Sequence, residues 1–353
     1  MSELSMYAQA EEVLRRHGYG TSDLAFVGAG AQSACYGTDE VAVLLSRSAD
    51  ADRVADLTGH VVPGSEASTT CNNYAVLRWL ATRAADAGVR TPRFLAVGEE
   101  PRPYAVVERA TGILAADHPR VAEHATAWFG QLGEELARTH LVRTTGFGMF
   151  VPDGAGGYRG RFGTWVEYLD NWLGVHLCVG RSRPEDQKVL DLFLAQGIVT
   201  EGDLALVAAK VREAQEWPVA SVLTHYDNRL DNLVVDSGGA ADTDKPDGPD
   251  GPDGAGRITV LDWGLSLAGI GIAQELIKLF ETEPTSVESP RVAAFLRGYG
   301  LSLAEAVEAV ERGKLMLVMD GLGMSYGWAD DPDRLGGIRA WLRTVSRLCR
   351  EWA

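Results

Sequence analysis

The chain has 353 residues, 46% apolar and 23% charged, an ordinary globular balance that suits two lobes or domains better than one core. A formal net charge of −16 sets it against a nucleic-acid partner, and no run approaches the ~20 consecutive apolar residues of a membrane-spanning helix. Cys35, Cys71, Cys178 and Cys349 form no CxxC pair and the seven histidines no HExxH, which argues against a disulfide framework or a zinc site. Glu3, Glu11 and Glu12 interrupt the N-terminus where an apolar signal core would lie, so a cytoplasmic location is expected.

A first helix is predicted from Tyr7 to His17, ended by Gly18 and Gly20. Short apolar runs follow at Leu24 to Val27, Ala34 to Tyr36 and Val41 to Leu45. Gly28, Gly30 and Gly37 separate them, as in an antiparallel meander. Ser48 to Thr70 reads as irregular, and Asn72 to Ala85 carries a helical apolar stripe. Phe94 to Val97 and Tyr104 to Val107 read as two further strands, and Gly112 marks a break.

Helical patterns dominate beyond that point: His118 to Thr139, Gly163 to Leu173, Pro184 to Gln196, Glu201 to Glu216, Val292 to Tyr299, Leu303 to Asp320 and Asp333 to Trp352. Two β-branched runs interrupt them, Leu233 to Val235 and Ile258 to Leu261. The stretch between them, 237–256, holds a Pro-Asp-Gly repeat that cannot bury apolar surface and reads as a flexible acidic hairpin loop. The expected fold class is α+β: a small β-rich N-terminal lobe, residues 1–109, and a large mainly helical lobe, residues 110–353.

The residues Thr224-His225-Tyr226-Asp227-Asn228-Arg229-Leu230-Asp231-Asn232 contain H-x-D-x-x-x-x-N, followed at once by a strand-like run. Phosphoryl transfer needs a carboxylate to take the acceptor hydroxyl proton and a metal ligand a short fixed reach away, and Asp227 and Asn232 have that spacing. The run Ile258-Thr259-Val260-Leu261-Asp262-Trp263-Gly264 ends a strand in an acid, the position of a second metal-binding carboxylate. Alone, Asp262 would read as a turn-capping aspartate; one hairpin after the first motif, it completes a pair.

The two motifs resemble those of the aminoglycoside phosphotransferase family of small-molecule and antibiotic kinases, whose fold is a variant of the protein-kinase fold. Leu132 to His140, Ala75 to Leu80 and Pro103 to Glu108 resemble further segments of that family in the same order. The resemblance implies a bilobal protein-kinase-like fold and Mg²⁺ with ATP or GTP as phosphoryl donor. It implies Asp227 as base, Asn232 and Asp262 as metal ligands, and Arg229 as a cation for the transferring group. Glu108 to Ala110 would form the lobe linker and hold the base through the backbone. Gly28, Gly30 and Ser33 would lie over the phosphates, where glycine admits close backbone approach and a hydroxyl can donate. His225 reads as a packed structural histidine rather than a proton shuttle.

One feature departs from the pattern. Kinases pair a third-strand Lys with a helix Glu to hold the α/β-phosphates. Here the register places Leu44 and Asn73 at those positions, so both members of the pair are absent together. Arg47 would reach the phosphates through a shifted register or bulge, or Arg229 and the metals would carry more of the load. The candidate substrate wall is Tyr226, Glu275, Asp320, Tyr326, Trp328, Asp330 and Asp331. The expected activity is O-phosphorylation of an antibiotic of aminoglycoside, nucleoside or macrolide type, in resistance or self-protection. The alternatives are a primary-metabolite kinase of choline, homoserine or sugar type, and a pseudokinase that binds nucleotide or ligand without turnover.

Overall fold

The computed structural model describes residues 3–30, 33–47, 74–180, 183–236 and 254–353. Asn73, Cys71 and most of the Pro-Asp-Gly repeat lie outside the described residues. The chain opens with α1 (Glu3–Arg16), β1 (Ala25–Ala29), β2 (Ser33–Gly37) and β3 (Val41–Ser46), then α2 (Tyr74–Asp86), β4 (Phe94–Gly98) and β5 (Tyr104–Glu108). The five strands form one antiparallel sheet in the order β1-β2-β3-β5-β4.

Strand alternation divides this sheet between two cores. Val41, Val43, Leu45, Tyr104 and Val106 point to α1 and bury Ala10, Val13 and Leu14. Ala42, Ala105 and Val107, with the half-buried Cys35 and Leu44, point the other way and join the core that holds Val76, Leu77 and Leu80 of α2. Leu44 therefore lies on the α2-facing side of β3, as its register predicts.

The remainder is built from β6 (Ile113–Leu114), α3 (Val121–Thr139), β7 (Phe147–Pro152), β8 (Tyr158–Phe162), α4 (Trp165–His176), α5 (Pro184–Ala195), α6 (Glu201–Ala214), β9 (Val222–Thr224), β10 (Leu233–Val235), β11 (Ile258–Val260), β12 (Leu267–Gly269), α7 (Ile272–Phe280), α8 (Pro290–Tyr299), α9 (Leu303–Gly327) and α10 (Leu335–Trp352). Two small sheets, β11-β10-β6 and β8-β7-β12-β9, are set among these helices. Reciprocal capping boxes start α4 (Thr164 with Glu167), α6 (Thr200 with Asp203) and α9 (Ser302 with Glu305), each satisfying backbone donors that the first turn leaves open.

Glycine sets the crossing of α3 and α8. A Cβ on Gly298 would lie 1.9 Å from the carbonyl oxygen of Gly130, and one on Gly133 2.1 Å from that of Phe295, so the two backbones meet where no side chain fits. The β7–β8 hairpin reaches back to α2, where the Trp79 ring meets Phe150 at 5.7 Å and Tyr158 at 5.4 Å.

The fold is α+β, two-lobed and protein-kinase-like, as expected. The predicted helices all occur, with ends shifted by a few residues and α9 running on to Gly327. Strands β6, β7, β8, β9 and β12 and helix α7 were not predicted. Among the described residues no helix is long and apolar enough to cross a membrane, and Cys35, Cys178 and Cys349 form no disulfide.

Candidate active site

Strand β9 is buried throughout and delivers the chain into the loop 225–229. The loop ends in a turn of 3-10 helix, Leu230–Asn232, and enters β10 directly. The Asn232 side-chain amide donates to the backbone carbonyl of Asp227 at 2.7 Å and to its Oδ2 at 2.9 Å. Five residues of chain are thus folded back on themselves. The Asn232 Oδ1 stands on the same amide beside the carboxylate, an oxygen of the kind that can ligate a metal.

Strand β11 pairs with β10 from Leu233↔Val260 to Val235↔Ile258, and the Leu261 N–H donates to the Asn232 carbonyl at 2.8 Å. This hairpin brings Asp262 alongside the loop. Asp262 has φ 53°, a left-handed conformation, and its Oδ1 accepts from the Gly264 N–H at 3.0 Å. The surrounding protein pushes the Asp262 carboxyl above the ordinary aspartate range although the residue keeps exposed surface. The Gly264 bond opposes that rise, and the charge of Asp227 adds to it.

Two carboxylates and one amide oxygen make a hard-oxygen set. It fits Mg²⁺, which takes one or two carboxylates and completes its shell with water and phosphate. No three His, Cys, Asp or Glu side chains gather into a metal cage among the described residues, and Mg²⁺ bound in that way needs none.

The loop is held from beneath by α7. Glu275 is fully buried; its Oε1 accepts from the His225 N–H at 2.7 Å and its Oε2 from the Tyr226 N–H at 3.0 Å. The Glu275 carbonyl accepts from Asn228 Nδ2 at 2.6 Å, and His140 Nε2 lies 3.1 Å from Oε1. Tyr226 sits at φ 69°, unusual for a bulky side chain, with its hydroxyl donating to Asp320 Oδ1 at 2.6 Å. Lys278, one turn along α7 from Glu275, lies 3.6 Å from Asp320 Oδ2 and 2.5 Å from Glu281 Oε1. Burial alone would lower the Lys278 pKa; the charges of Asp320, Glu281 and Asp227 outweigh it and hold the ammonium protonated. His225 is buried, its Nε2 2.8 Å from the Leu261 carbonyl and its ring against Trp263, the packing role expected of it.

These positions correct part of the predicted substrate wall. Tyr226, Glu275 and Asp320 are interior and hold the loop up; they do not line a cleft. Tyr326 gives its hydroxyl to Asp186 at 2.5 Å, and Arg334 covers the Trp328 ring at 5.4 Å. Sequence reading passed over Lys278 and Glu281 altogether. The i, i+4 pairs Ile272–Leu276 and Leu276–Phe280 of α7 were the available signal.

At the other sheet the predicted residues are spread along its length. Gly28 pairs with Cys35, and a Cβ on Gly28 or Gly30 would meet nothing within 4 Å. The Gly30 N–H donates to the Ser33 carbonyl at 2.9 Å, and exposed Arg47 donates to the Gly30 carbonyl at 2.9 Å, tying β3 to this turn. Ser33 Oγ lies 2.8 Å from the Tyr74 hydroxyl. Glu108 turns its side chain to Arg93 (Nε–Oε1 2.7 Å), and its N–H donates to the Arg93 carbonyl. The Arg109 N–H donates to the Glu40 carbonyl, so neither N–H is available to a base, and the chain leaves the sheet ahead of Ala110. Arg229 is exposed and pairs with Asp231 at 3.0 Å.

A two-lobed kinase fold with an Asp–Asn loop and a strand-end Asp defines a small-molecule kinase. The sequence profile of the APH phosphotransferase enzyme family matches residues 62–244, more than half of the chain, and the chain belongs to that family. No curated protein matches it significantly. Among solved structures it is similar to aminoglycoside phosphotransferase APH(4)-Ia, with TM-score 0.63 and 17% identity over 99% of both chains. A thermostable mutant of that protein, in ternary complex with ADP and hygromycin B, gives TM-score 0.61 and 17% identity over 98% of both. ADP-bound aminoglycoside phosphotransferase APH(2'')-Ib gives 0.56 and 11% over 99% of both. A choline/ethanolamine kinase family protein from Mesorhizobium loti gives 0.50 and 14%, over 99% of this chain and 94% of that one.

Proposed function

We propose that the chain transfers the terminal phosphoryl group of ATP or GTP to a hydroxyl of a small molecule, an antibiotic of aminoglycoside, nucleoside or macrolide type, in the cytoplasm. The observation that carries this reading is the clamp of Asn232 on Asp227 with Asp262 brought beside it. The ADP and hygromycin B complexes of the similar structures support the nucleotide and the antibiotic.

In this reading residues 1–109 form the nucleotide lobe and 110–353 the catalytic and substrate lobe, with the nucleotide between them. Gly28, Gly30 and Ser33 cover the phosphates, and Arg47 fixes that turn. The linker from Glu108 to Ala110 flanks the base, with Ala110 and the Glu108 carbonyl as its polar contacts. Asn232 and Asp262 hold Mg²⁺, which when bound offsets the charge of the phosphate oxygens. Asp227 accepts the proton of the acceptor hydroxyl. As the new oxygen–phosphorus bond forms, the bond from that phosphorus to the diphosphate breaks, and exposed Arg229 faces the charge that develops.

The test is diphosphate release with ATP and GTP in Mg²⁺ across aminoglycoside, macrolide and nucleoside antibiotics, with choline and homoserine alongside. An antibiotic should stimulate release, and Asp227→Ala should lower kcat by about 10²–10⁴ while nucleotide still binds. Stimulation by choline or homoserine alone would move the assignment to a metabolic kinase, the class of the Mesorhizobium loti structure. Nucleotide binding without release under any condition would reduce the chain to a pseudokinase.

A further inference from the structure

The linker spends backbone donors on the protein itself. The Glu108 N–H donates to the Arg93 carbonyl at 2.9 Å and the Arg109 N–H to the Glu40 carbonyl at 3.0 Å. A base that enters beside this linker finds those two donors taken, so its acceptor atoms must be met by another group.

The Arg109 side chain is placed to meet them. The register sets Gly37 opposite Ala42 and Ala42 opposite Val107, a row across β2, β3 and β5 on the α2-facing side of the sheet. Arg109 leaves the sheet two residues after Val107 and folds its guanidinium back over the far end of that row: a Cβ on Gly37 would lie 2.0 Å from Nη1. The absence of a side chain at Gly37 is what admits the guanidinium. The Val27 Cγ2 lies 3.1 Å from the same point, and Val27 keeps 47% of its surface exposed, so a cation and an apolar surface stand side by side. Burial raises the Cys35 thiol and the Arg109 charge opposes that rise, as expected of a charge on the side of the sheet that Cys35 and Gly37 share by alternation.

The guanidinium is also little engaged. Arg109 is half-buried, and among the described residues its side chain makes one hydrogen bond, Nη1 to the Thr38 carbonyl at 3.5 Å, the outer edge of useful geometry, and no ion pair. Its neighbours are committed: Arg93 to the Glu108 carboxylate, Arg47 to the Gly30 carbonyl and Arg102 to the Ser46 carbonyl.

We propose that Arg109 reads the base of the phosphoryl donor and selects guanine, its fork donating to O6 and N7. This rests on the nucleotide reading above and narrows it to GTP. Guanine presents two acceptors on that edge, matched to a planar pair of N–H groups. Adenine presents one acceptor and an amino group there, and the amino hydrogens would face a cation that has only hydrogens to offer.

Titration calorimetry of the full chain with the Mg²⁺ complexes of GTP, ATP and inosine triphosphate tests this. Inosine triphosphate keeps O6 and N7 and lacks the 2-amino group. The wild type should bind GTP and inosine triphosphate about 10- to 100-fold more tightly than ATP, the range for one bidentate pair. Arg109→Met should weaken both toward the ATP value. A wild type that binds ATP as tightly as GTP overturns the assignment, as does an Arg109→Met chain that keeps the full preference or loses all three nucleotides equally. A wild type that prefers GTP but treats inosine triphosphate like ATP reads the 2-amino group and also overturns it. If Arg109→Met does not fold, Arg109→Lys carries the test: a preference reduced severalfold supports the role, because a lysine lacks the fork, and an unaltered preference refutes it. A wild type that binds no nucleotide overturns the nucleotide reading and this inference with it, whereas equal binding of GTP and ATP overturns this inference alone.

Discussion

Glu275→Gln replaces one oxygen of the carboxylate under the catalytic loop with an NH₂ group at almost constant volume. In the wild type Oε1 serves the His225 N–H and His140, and Oε2 serves the Tyr226 N–H. Either orientation of the amide sets its NH₂ against one of the two backbone donors. One charge-assisted bond is then lost, at about 1.5–3 kcal/mol, and a buried N–H is stranded, at about 1–3 kcal/mol more. The surviving bond drops from charged to neutral. The expected destabilisation is about 3–5 kcal/mol, a large part of the ~5–15 kcal/mol that holds a folded domain together. Urea unfolding of the two chains reads it as a fall in midpoint. The same change releases the strain of about 1–3 kcal/mol at the positive φ of Tyr226, so the loop relaxes and carries Asp227 with it. The kcat should therefore fall while nucleotide affinity, which the proposed function assigns mainly to residues 1–109, holds. A Glu275→Gln chain within 1 kcal/mol of the wild type and with unchanged kcat would refute the view that this carboxylate organises the loop.

Gly298→Ala pushes a methyl group against the Gly130 carbonyl and must part α3 from α8; a loss of about 1–3 kcal/mol is expected in thermal or urea unfolding, with kcat per folded molecule little changed. Burial pushes the Cys35 thiol up to about 11, against the opposing pull of Arg109, so only its thiolate fraction reacts. Alkylation of Cys35, followed by peptide mass spectrometry, should rise about tenfold per pH unit through pH 8–10, without the plateau of an ordinary thiol near 8.5, and bound ATP should slow it.

Much of the site was legible because its chemistry is written in short contiguous runs. Asp227 and Asn232 are five residues apart and fold onto each other through one amide, and Asp262 is delivered by a hairpin whose β-branched strands are plain in the sequence. The absence of a third-strand cation was equally legible, since alternation fixes which side chains of β3 share a face. What supports the loop was not. Glu275 lies nearly fifty positions from its partners and meets them only because α7 packs beneath β9. The nine residues of α7 follow a glycine-flanked strand of three, too short a pattern to stand out from either neighbour. The positive φ of Tyr226 could not be read either, because propensity argues against it and only Glu275 and Asp320 impose it.

Counting acids overstated the charge available to a substrate. Seven residues were predicted to wall the site, four of them acidic, which would favour a polycationic ligand. In the folded chain Glu275 is spent on two backbone N–H groups, and Asp320 on the Tyr226 hydroxyl and Lys278. Asp331 caps the turn at Asp333 and lies 3.7 Å from Arg334. Glu281, which no sequence argument named, remains beside the loop: its side chain keeps 21% of its surface, and it feels Lys278, Asp320 and Arg229. Burial raises its pKa, Lys278 opposes that, and Asp320 adds to it, so a cation arriving beside it favours its charged form. Selection among substrates should accordingly follow how a ligand meets Glu281 and the open edge of Arg229 rather than the total acidity of the lobe, and Glu281→Gln should raise KM for a cationic acceptor more than for a neutral one.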